Sequence, residues 1–373
     1  FFPTPMLQQA HPMQAAQTLV YLVYGSDPQY QQELSYSVLS ACRAAHGNMD
    51  DINILLFCDE ANQRPDLPVT SYVMSDTERH GWTFGNTYNH ALKIFALRKA
   101  LELSGGKVCF VDTDTAFLQD PQLLFDRISD RTAVVHHNEG LLSQRARWSV
   151  LLQNGWGTLI DMAPAAGLAD VVHAEAPMYN SGLIGVMADK AGLLEQAAQL
   201  AHDLYQLEPV FNIEQFAVGA TLGQTHDVET GQDLVDHYCG YRRFVFHRQI
   251  PDALATLNGD LSPQAATRLP VISDLAKPLH AKLRAHLNAR LHGRGATYRY
   301  AYLCYLCSCA AKSVIHRQIW ADIALDMIGR TQDRALARRV FRRFTPEALP
   351  ASGLDAAQQK AWNSFWQATD SPS

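Results

Sequence analysis

Strands and helices alternate along the first two-thirds of the chain, which predicts an α/β fold: a doubly wound sheet covered by helices on both faces. The run KVCFVD, Lys107 to Asp112, is apolar at every interior position, as in a strand buried on both sides. From about Leu269 the pattern changes to successive basic helical segments, which predicts a C-terminal helical appendage.

Taken in order, TLVYLVYGS reads as the first strand and ends at Gly25. A helix follows from Gln31 to Ala45, with Leu34, Val38, Leu39 and Cys42 at helical spacing. DINILLFCDE and PVTSYVMS are the second and third strands. NTYNHALKIFALRKALEL has a helical period and stops at Gly105–Gly106, since glycine readily takes the left-handed conformation that closes a helix. KVCFVDTDT is the fourth strand, TAVVHH the fifth and MYNSGLIGVM the sixth. Helices are predicted over Lys190–Leu207 and Ile213–Leu222. Glu139 to Pro177, with Trp148 and Trp156 and little periodicity, reads as an insertion between sheet strands. The expected organisation is a flexible lead-in over 1–17, an α/β domain over 18–268 interrupted at 139–177, and a basic helical region over 269–373.

With 47 % hydrophobic and 18 % charged residues among 373, the chain is too apolar for disorder. No run approaches the ~20 apolar residues of a membrane span, and FFPTPMLQQAHPMQ lacks the basic start and apolar core of a signal peptide. The seven cysteines are odd in number, scattered and mostly inside apolar segments, which favours reduced thiols and a cytoplasmic location. Lys277 to Arg343 holds 14 Lys and Arg against three Asp, a net of +11, leaving −17 on the rest of a chain whose total is −6. That basic segment either pairs with the acidic body or meets an anionic surface such as the inner face of a membrane. Nothing points to nucleic acid.

The chemistry concentrates in FVDTDTAFLQDP, where Asp112 and Asp114 follow the buried fourth strand. In open α/β sheets, ligands bind beyond the carboxyl ends of strands. Two adjacent carboxylates repel unless a cation lies between them, and a hard divalent ion is the economical answer. The bland alternative is a turn cap at Asp112 with Asp114 solvated. No G-x-G-x-x-G follows the first strand and no Walker loop is present, so dinucleotide and ATP-hydrolase chemistry lack their phosphate cradles. Cys304, Cys307 and Cys309 lack the second cysteine pair that would close a zinc site.

Several motifs occur in one order. YGSDPQY follows the first strand, HALKIFAL carries Lys93, DTD carries Asp112 and Asp114, YNSGLIGV carries Asn180, IEQFAVGATL carries Glu214 and Gln215, and HYCGYRR carries His237, Gly240 and Arg243. From the first strand to about Phe244 the chain resembles the GT-A glycosyltransferases, and among them glycosyltransferase family 8, the group of glycogenin and bacterial lipopolysaccharide galactosyltransferases. The last motif is spaced like that family's H-F-x-G-x-x-K-P-W without its proline, and Glu-Gln stands where the family has Asp-Gln.

The resemblance implies a Rossmann-like, nucleotide-sugar-binding mixed sheet and a metal-dependent, retaining hexosyltransferase using a UDP-sugar. The acceptor would be a saccharide, a lipid-linked saccharide or a protein. Asp112, Asp114 and His237 would hold Mn2+, with Mg2+ the alternative and His280 the rival third ligand. Gly25, Asp27 and Tyr30 would meet the nucleoside, and Lys93, Asn180, Gly240 and Arg243 the phosphates and sugar, with Arg242 competing with Arg243. Glu214 and Gln215 would serve catalysis, by a protein nucleophile or by front-face attack with the leaving phosphate as base. The competing class is a non-catalytic carbohydrate- or membrane-binding protein on the same fold.

Overall fold

The computed structural model describes residues 17–145, 148, 173, 175–329 and 355–367. The expected lead-in, most of the insertion with Trp156, and most of the chain after 329 lie outside the described residues. Two compact units are present, Phe1–Tyr238 with Ala253–Pro270 and Cys239–Asp252 with Val271–Ser373.

The first unit is built on β1 (Gln17–Val23), β2 (Ile52–Cys58), β3 (Thr70–Val73), β4 (Lys107–Val111), β5 (Thr115–Phe117), β6 (Thr132–Val135), β7 (Asn138–Leu141), β8 (Pro177–Tyr179), β9 (Leu183–Met187), β10 (Asp227–Thr230) and β11 (Val235–His237). Between them run helices α1 (Pro28–Ala44), α2 (Asp76–Trp82), α3 (Leu92–Ser104), α4 (Pro121–Arg127), α5 (Ala191–Leu207) and α6 (Ile213–Gly223). Seven strands form one sheet in the order β10-β6-β9-β4-β1-β2-β3. The expected α/β class with a mixed sheet is the one observed, β9 running antiparallel to both β4 and β6.

Alternate residues of the central strands feed two cores. Val20, Val108 and Phe110 pack with Ile94, Leu97, Leu204 and Phe216 in one apolar cluster. On the other side the Tyr21 hydroxyl lies 3.1 Å from the Ser37 Oγ of α1. Helix ends follow their local chemistry. The Asp27 side chain accepts from Gln29 N at the start of α1, and Gly105, at φ +69°, closes α3.

β1 pairs in parallel with both β2 and β4, so the chain leaves it in two directions. Such a switch point opens a crevice at the carboxyl ends of the strands. The Gly25 turn follows β1, and Asp112 to Asp114 follow β4. Both ends of the expected insertion sit on the antiparallel pair β7–β8. Trp148, fully buried, donates through Nε1 to Asn212 Oδ1 at 3.1 Å and packs on Phe216, fixing the entry to α6.

The described helices of the second unit are most of α7 (Arg242–Ala255), α9 (Leu279–Leu291), α10 (Ala296–Ala310), α11 (Val314–Gly329) and α12 (Ala356–Gln367), while the short α8 (Pro263–Ala266) belongs to the first. α9 packs on α10, α10 on α11 and α11 on α12. Arg248 ties them, with Nε 2.7 Å from Asp322 Oδ2 and a guanidinium nitrogen 2.7 Å from Asp355 Oδ2. None of the seven cysteines, all among the described residues, is in a disulfide. Burial raises the Cys304 thiol strongly and pushes Cys307 up to about 11, so neither is poised as a thiolate. Among the described residues no helix is long and apolar enough to cross a membrane.

Candidate metal and donor site

Ordinary backbone bonding builds the turn after β4. Asp112 N donates to Gly182 O at 2.9 Å, and the Thr115 hydroxyl donates to Asp112 O at 2.7 Å. Antiparallel pairing of β11 with β5 then sets His237 opposite Thr115, and Tyr238 N donates to Asp114 O at 3.0 Å. That register brings residues 123 and 125 apart in sequence to one point.

His237 Nε2 lies 3.2 Å from Asp114 Oδ1 and 4.0 Å from Asp112 Oδ2. One ligand atom from each of the three residues falls within 4.8 Å of the others, the only such cluster among the described residues. The imidazole is held from behind: Asn180 Oδ1 stands 3.0 Å from His237 Nδ1 and accepts its proton, which turns Nε2 toward the carboxylates. Asn180 is itself fixed, since its Oδ1 also accepts from Gly182 N at 3.0 Å and its Nδ2 donates to Glu139 Oε1 at 2.9 Å. Gly182 is required for space, because a Cβ there would overlap His237 Nδ1 and stand 2.6 Å from its Cε1. Burial pushes the His237 pKa down, but the hydrogen bond that Nε2 donates to Asp114 and the Asp114 and Asp112 charges outweigh it, and the net shift is upward.

Lys93 departs from the usual solvated lysine on a helix. It is 8 % exposed, with Nζ 2.9 Å from Asp112 Oδ2 and 3.0 Å from Ser181 O. Burial alone would lower its pKa; the Asp112 and Glu214 charges raise it instead, so the ammonium persists.

Glu214 occupies the first turn of α6, where the helix dipole favours an acid, and is only 4 % exposed. Tyr88 donates its hydroxyl to Oε2, and Ser181 Oγ lies 3.4 Å from Oε1. Burial and then the Glu214 charge raise the Tyr88 phenol far above its ordinary range, so it stays a donor. Gln215 is 8 % exposed, beside Glu139. It helps to lower the Glu139 pKa after the larger effects of burial, which raises it, and of Asn180 and Arg145, which lower it; no bond of ordinary geometry forms, and Gln215 Nε2 is buried unpaired.

At the end of β1, Gly25 takes φ +88°, a conformation only glycine adopts without strain. Asp59 Oδ2 accepts from Gly25 N at 2.9 Å, and Asn62 Nδ2 donates to Gly25 O at 2.8 Å. Asp27 serves as the helix cap, while Tyr30 is exposed and not a core aromatic. Burial pushes Tyr24 up to about 12, with smaller added effects from Tyr30, Asp112 and Glu214.

The structure therefore brings together Lys93, Asp112, Asp114, Asn180, Glu214, Gln215 and His237 in the first unit. Gly240 and Arg243 fall in the second unit. Gly240 has φ +66° and precedes α7, so Arg242 and Arg243 are helical neighbours and not strand residues with opposed side chains. Arg242 Nε pairs with Asp274 Oδ1 at 2.8 Å within that unit, and His280 is exposed at the start of α9. Sequence reasoning missed Tyr88, Glu139, Asp59 and Asn62. Asp59 and Asn62 follow the second strand as Asp112 follows the fourth, a signal that was readable. Tyr88 carried none.

No family model matches the chain, and no curated protein matches it in sequence. Among solved structures it is similar to mouse xyloside xylosyltransferase 1 at 12 % identity and a TM-score of 0.37, over 57 % of this chain and 84 % of that one. It is also similar to the glycosyltransferase GlyE of Streptococcus pneumoniae, at 13 % and 0.33, over 59 % of this chain and 46 % of that one. A third similarity is to the galactosyltransferase LgtC with donor and acceptor sugar analogues, at 13 % and 0.37, over 58 % and 74 %. At this identity and overlap the likeness carries no argument about activity; the residues of the crevice must do that.

Proposed function

We propose that the chain is a metal-dependent glycosyltransferase of the GT-A type, moving a hexose with retention from a UDP-sugar to a saccharide, lipid-linked saccharide or protein acceptor. The observation that carries this reading is the convergence of Asp112, Asp114 and His237 beyond the carboxyl ends of the central strands, with ligand atoms within 4.8 Å. The donor set fits a divalent ion: two carboxylates and an imidazole whose Nε2 is turned toward them by Asn180. Oxygen ligands with one imidazole suit Mn2+, and Mg2+ less well. When bound, such an ion supplies the charge that stabilises a departing diphosphate without supplying a proton.

The chain's own residues do the rest. Lys93 holds Asp112 in place and adds a fixed positive charge beneath the crevice. Tyr30, exposed at the start of α1, offers a stacking face for a base, and Gly25 keeps the turn before it open. The unpaired, buried Gln215 amide is a donor waiting for a sugar oxygen, since an orphaned buried polar group is costly. Both oxygens of Glu214 are engaged by Tyr88 and Ser181, which favours an orienting role and front-face attack over a Glu214 nucleophile.

Thermal unfolding with UDP tests the reading. UDP should stabilise the protein in Mn2+ and not in EDTA, by about 2.7 kcal/mol at one hundred times its Kd. A panel of UDP-sugars followed by mass spectrometry then identifies the hexose by donor hydrolysis. Equal stabilisation with and without metal would sink the proposal.

A further inference from the structure

α9, LHAKLRAHLNARL, is apolar on two opposed faces. Ala281, Ala285 and Ala289 are 1 %, 1 % and 4 % exposed and pack inward. Leu279, Leu283, Leu287 and Leu291 are 71 %, 57 %, 58 % and 81 % exposed. Residues four apart step about 40° round a helix, so the four leucines form a stripe about 120° wide, centred opposite the alanines. Core packing therefore uses the small residues and leaves the large ones in water, where a row of leucines has no folding reason to be.

The charge around the stripe says what it meets. From Leu275 to Ala321 the chain carries eight Lys and Arg and no Asp or Glu. On α9 itself, Lys282 and Arg284 are exposed and flank the stripe on opposite sides, about 120° and 80° from its centre. Exposed Arg290, the residue before Leu291, lies about 40° from the stripe's centre at its C-terminal end. A second copy docking on this face would bring like charges together across an isologous contact. An anionic lipid surface instead accepts the leucines among its acyl chains while the flanking cations reach the headgroups.

We propose that α9 is an interfacial helix, seating Leu279, Leu283, Leu287 and Leu291 in an anionic bilayer surface with Lys282, Arg284 and Arg290 on the headgroups. The proposal concerns the second unit by itself and holds whatever the first unit catalyses.

Co-sedimentation of the full chain with phosphatidylcholine vesicles, with and without phosphatidylglycerol, tests it at ~0.15 M salt, where distant charges are screened. Wild type should sediment with the anionic vesicles at least about tenfold better than with neutral ones, and each of Lys282→Gln and Arg284→Gln should weaken that about fivefold. Leu283→Gln with Leu287→Gln should lose at least about tenfold while melting like wild type, because the replaced side chains are exposed. Should that pair unfold the protein, Leu283→Ala with Leu287→Ala keeps the helix propensity and should still lower binding. Failure of wild type to sediment with anionic vesicles, or indifference to lipid charge, overturns the proposal. So does undiminished sedimentation of a folded leucine variant. A concentration-dependent dimer that the leucine changes abolish, without vesicle binding, would assign the face to a second copy instead.

Discussion

In the first unit Lys93, Glu214 and the side chain of His237 are each less than a tenth exposed, whereas in the second Leu279, Leu283, Leu287 and Leu291 are each more than half exposed. Both arrangements run against transfer free energy, which favours leucine inside and charge outside. The two departures are handled differently. The buried charges are matched to one another: Lys93 to Asp112, His237 to Asp114, Glu214 to Tyr88. Matching offsets part of their desolvation but does not by itself stabilise the fold, so the cluster is better explained by a ligand than by packing. The leucines have no match within α9, whose inward face is alanine. A violation that is internally compensated points to chemistry within the crevice; one left open points outward, to a surface.

The largest expected effect is at the acids. Asp114→Asn should abolish metal-dependent stabilisation by UDP and lower donor hydrolysis by more than about 10²-fold, since even outer partners of metal ligands cost 10–100-fold. Its stability without metal should stay within about 1 kcal/mol of wild type. Near-normal turnover in saturating Mn2+ would remove Asp114 from the ligand set.

Lys93→Ala should cost about 3 kcal/mol in urea unfolding without metal, the low end for breaking a buried pair because Asp112 keeps some solvent. Added Mn2+ should restore part of that loss, as a second positive charge beside Asp112. If metal leaves the variant unchanged, the lysine and the cation do not share that carboxylate.

A smaller loss is expected from Gly182→Ala. The new Cβ displaces the His237 ring and breaks its bond to Asn180, so Mn2+ affinity measured by calorimetry should fall about 10–100-fold. Unchanged affinity would mean that His237 does not need this seat.

The smallest effects sharpen the contrast in α9. Leu287→Ala, at an exposed position, should change the unfolding free energy by less than about 0.5 kcal/mol. Ala285→Leu, on the packed face, should cost about 1–3 kcal/mol by overpacking. Equal losses from the two would show that the exposed and packed faces are misassigned.

Much of the first unit was readable in one dimension. TLVYLVYGS, DINILLFCDE and KVCFVD were recognisable because a strand covered on both faces must be apolar throughout, and Asp112 and Asp114 stood out because such a run ends in two acids. His237 was found by a spaced motif whose other members, Gly240 and Arg243, lie in the second unit. A linear spacing cannot say that the chain leaves one unit at Tyr238 and starts a helix at Arg242. Tyr88 and Glu139 were unreadable, because their bonds to Glu214 and Asn180 span 126 and 41 residues.

The sequence by itself determined the α/β class, the strand that delivers the acids and the net charge of each segment, because these depend on composition and on periodicities of two and 3.6 residues. Only the tertiary structure decided which acid pairs with Lys93, which nitrogen of His237 faces the carboxylates, and which face of α9 is outside. In α9 periodicity marks leucine and alanine stripes alike and does not choose between them. The choice fell to the alanines, the ones packed inward where α9 meets α10. Partners far apart in sequence set these three outcomes, and a local pattern carries no information about them.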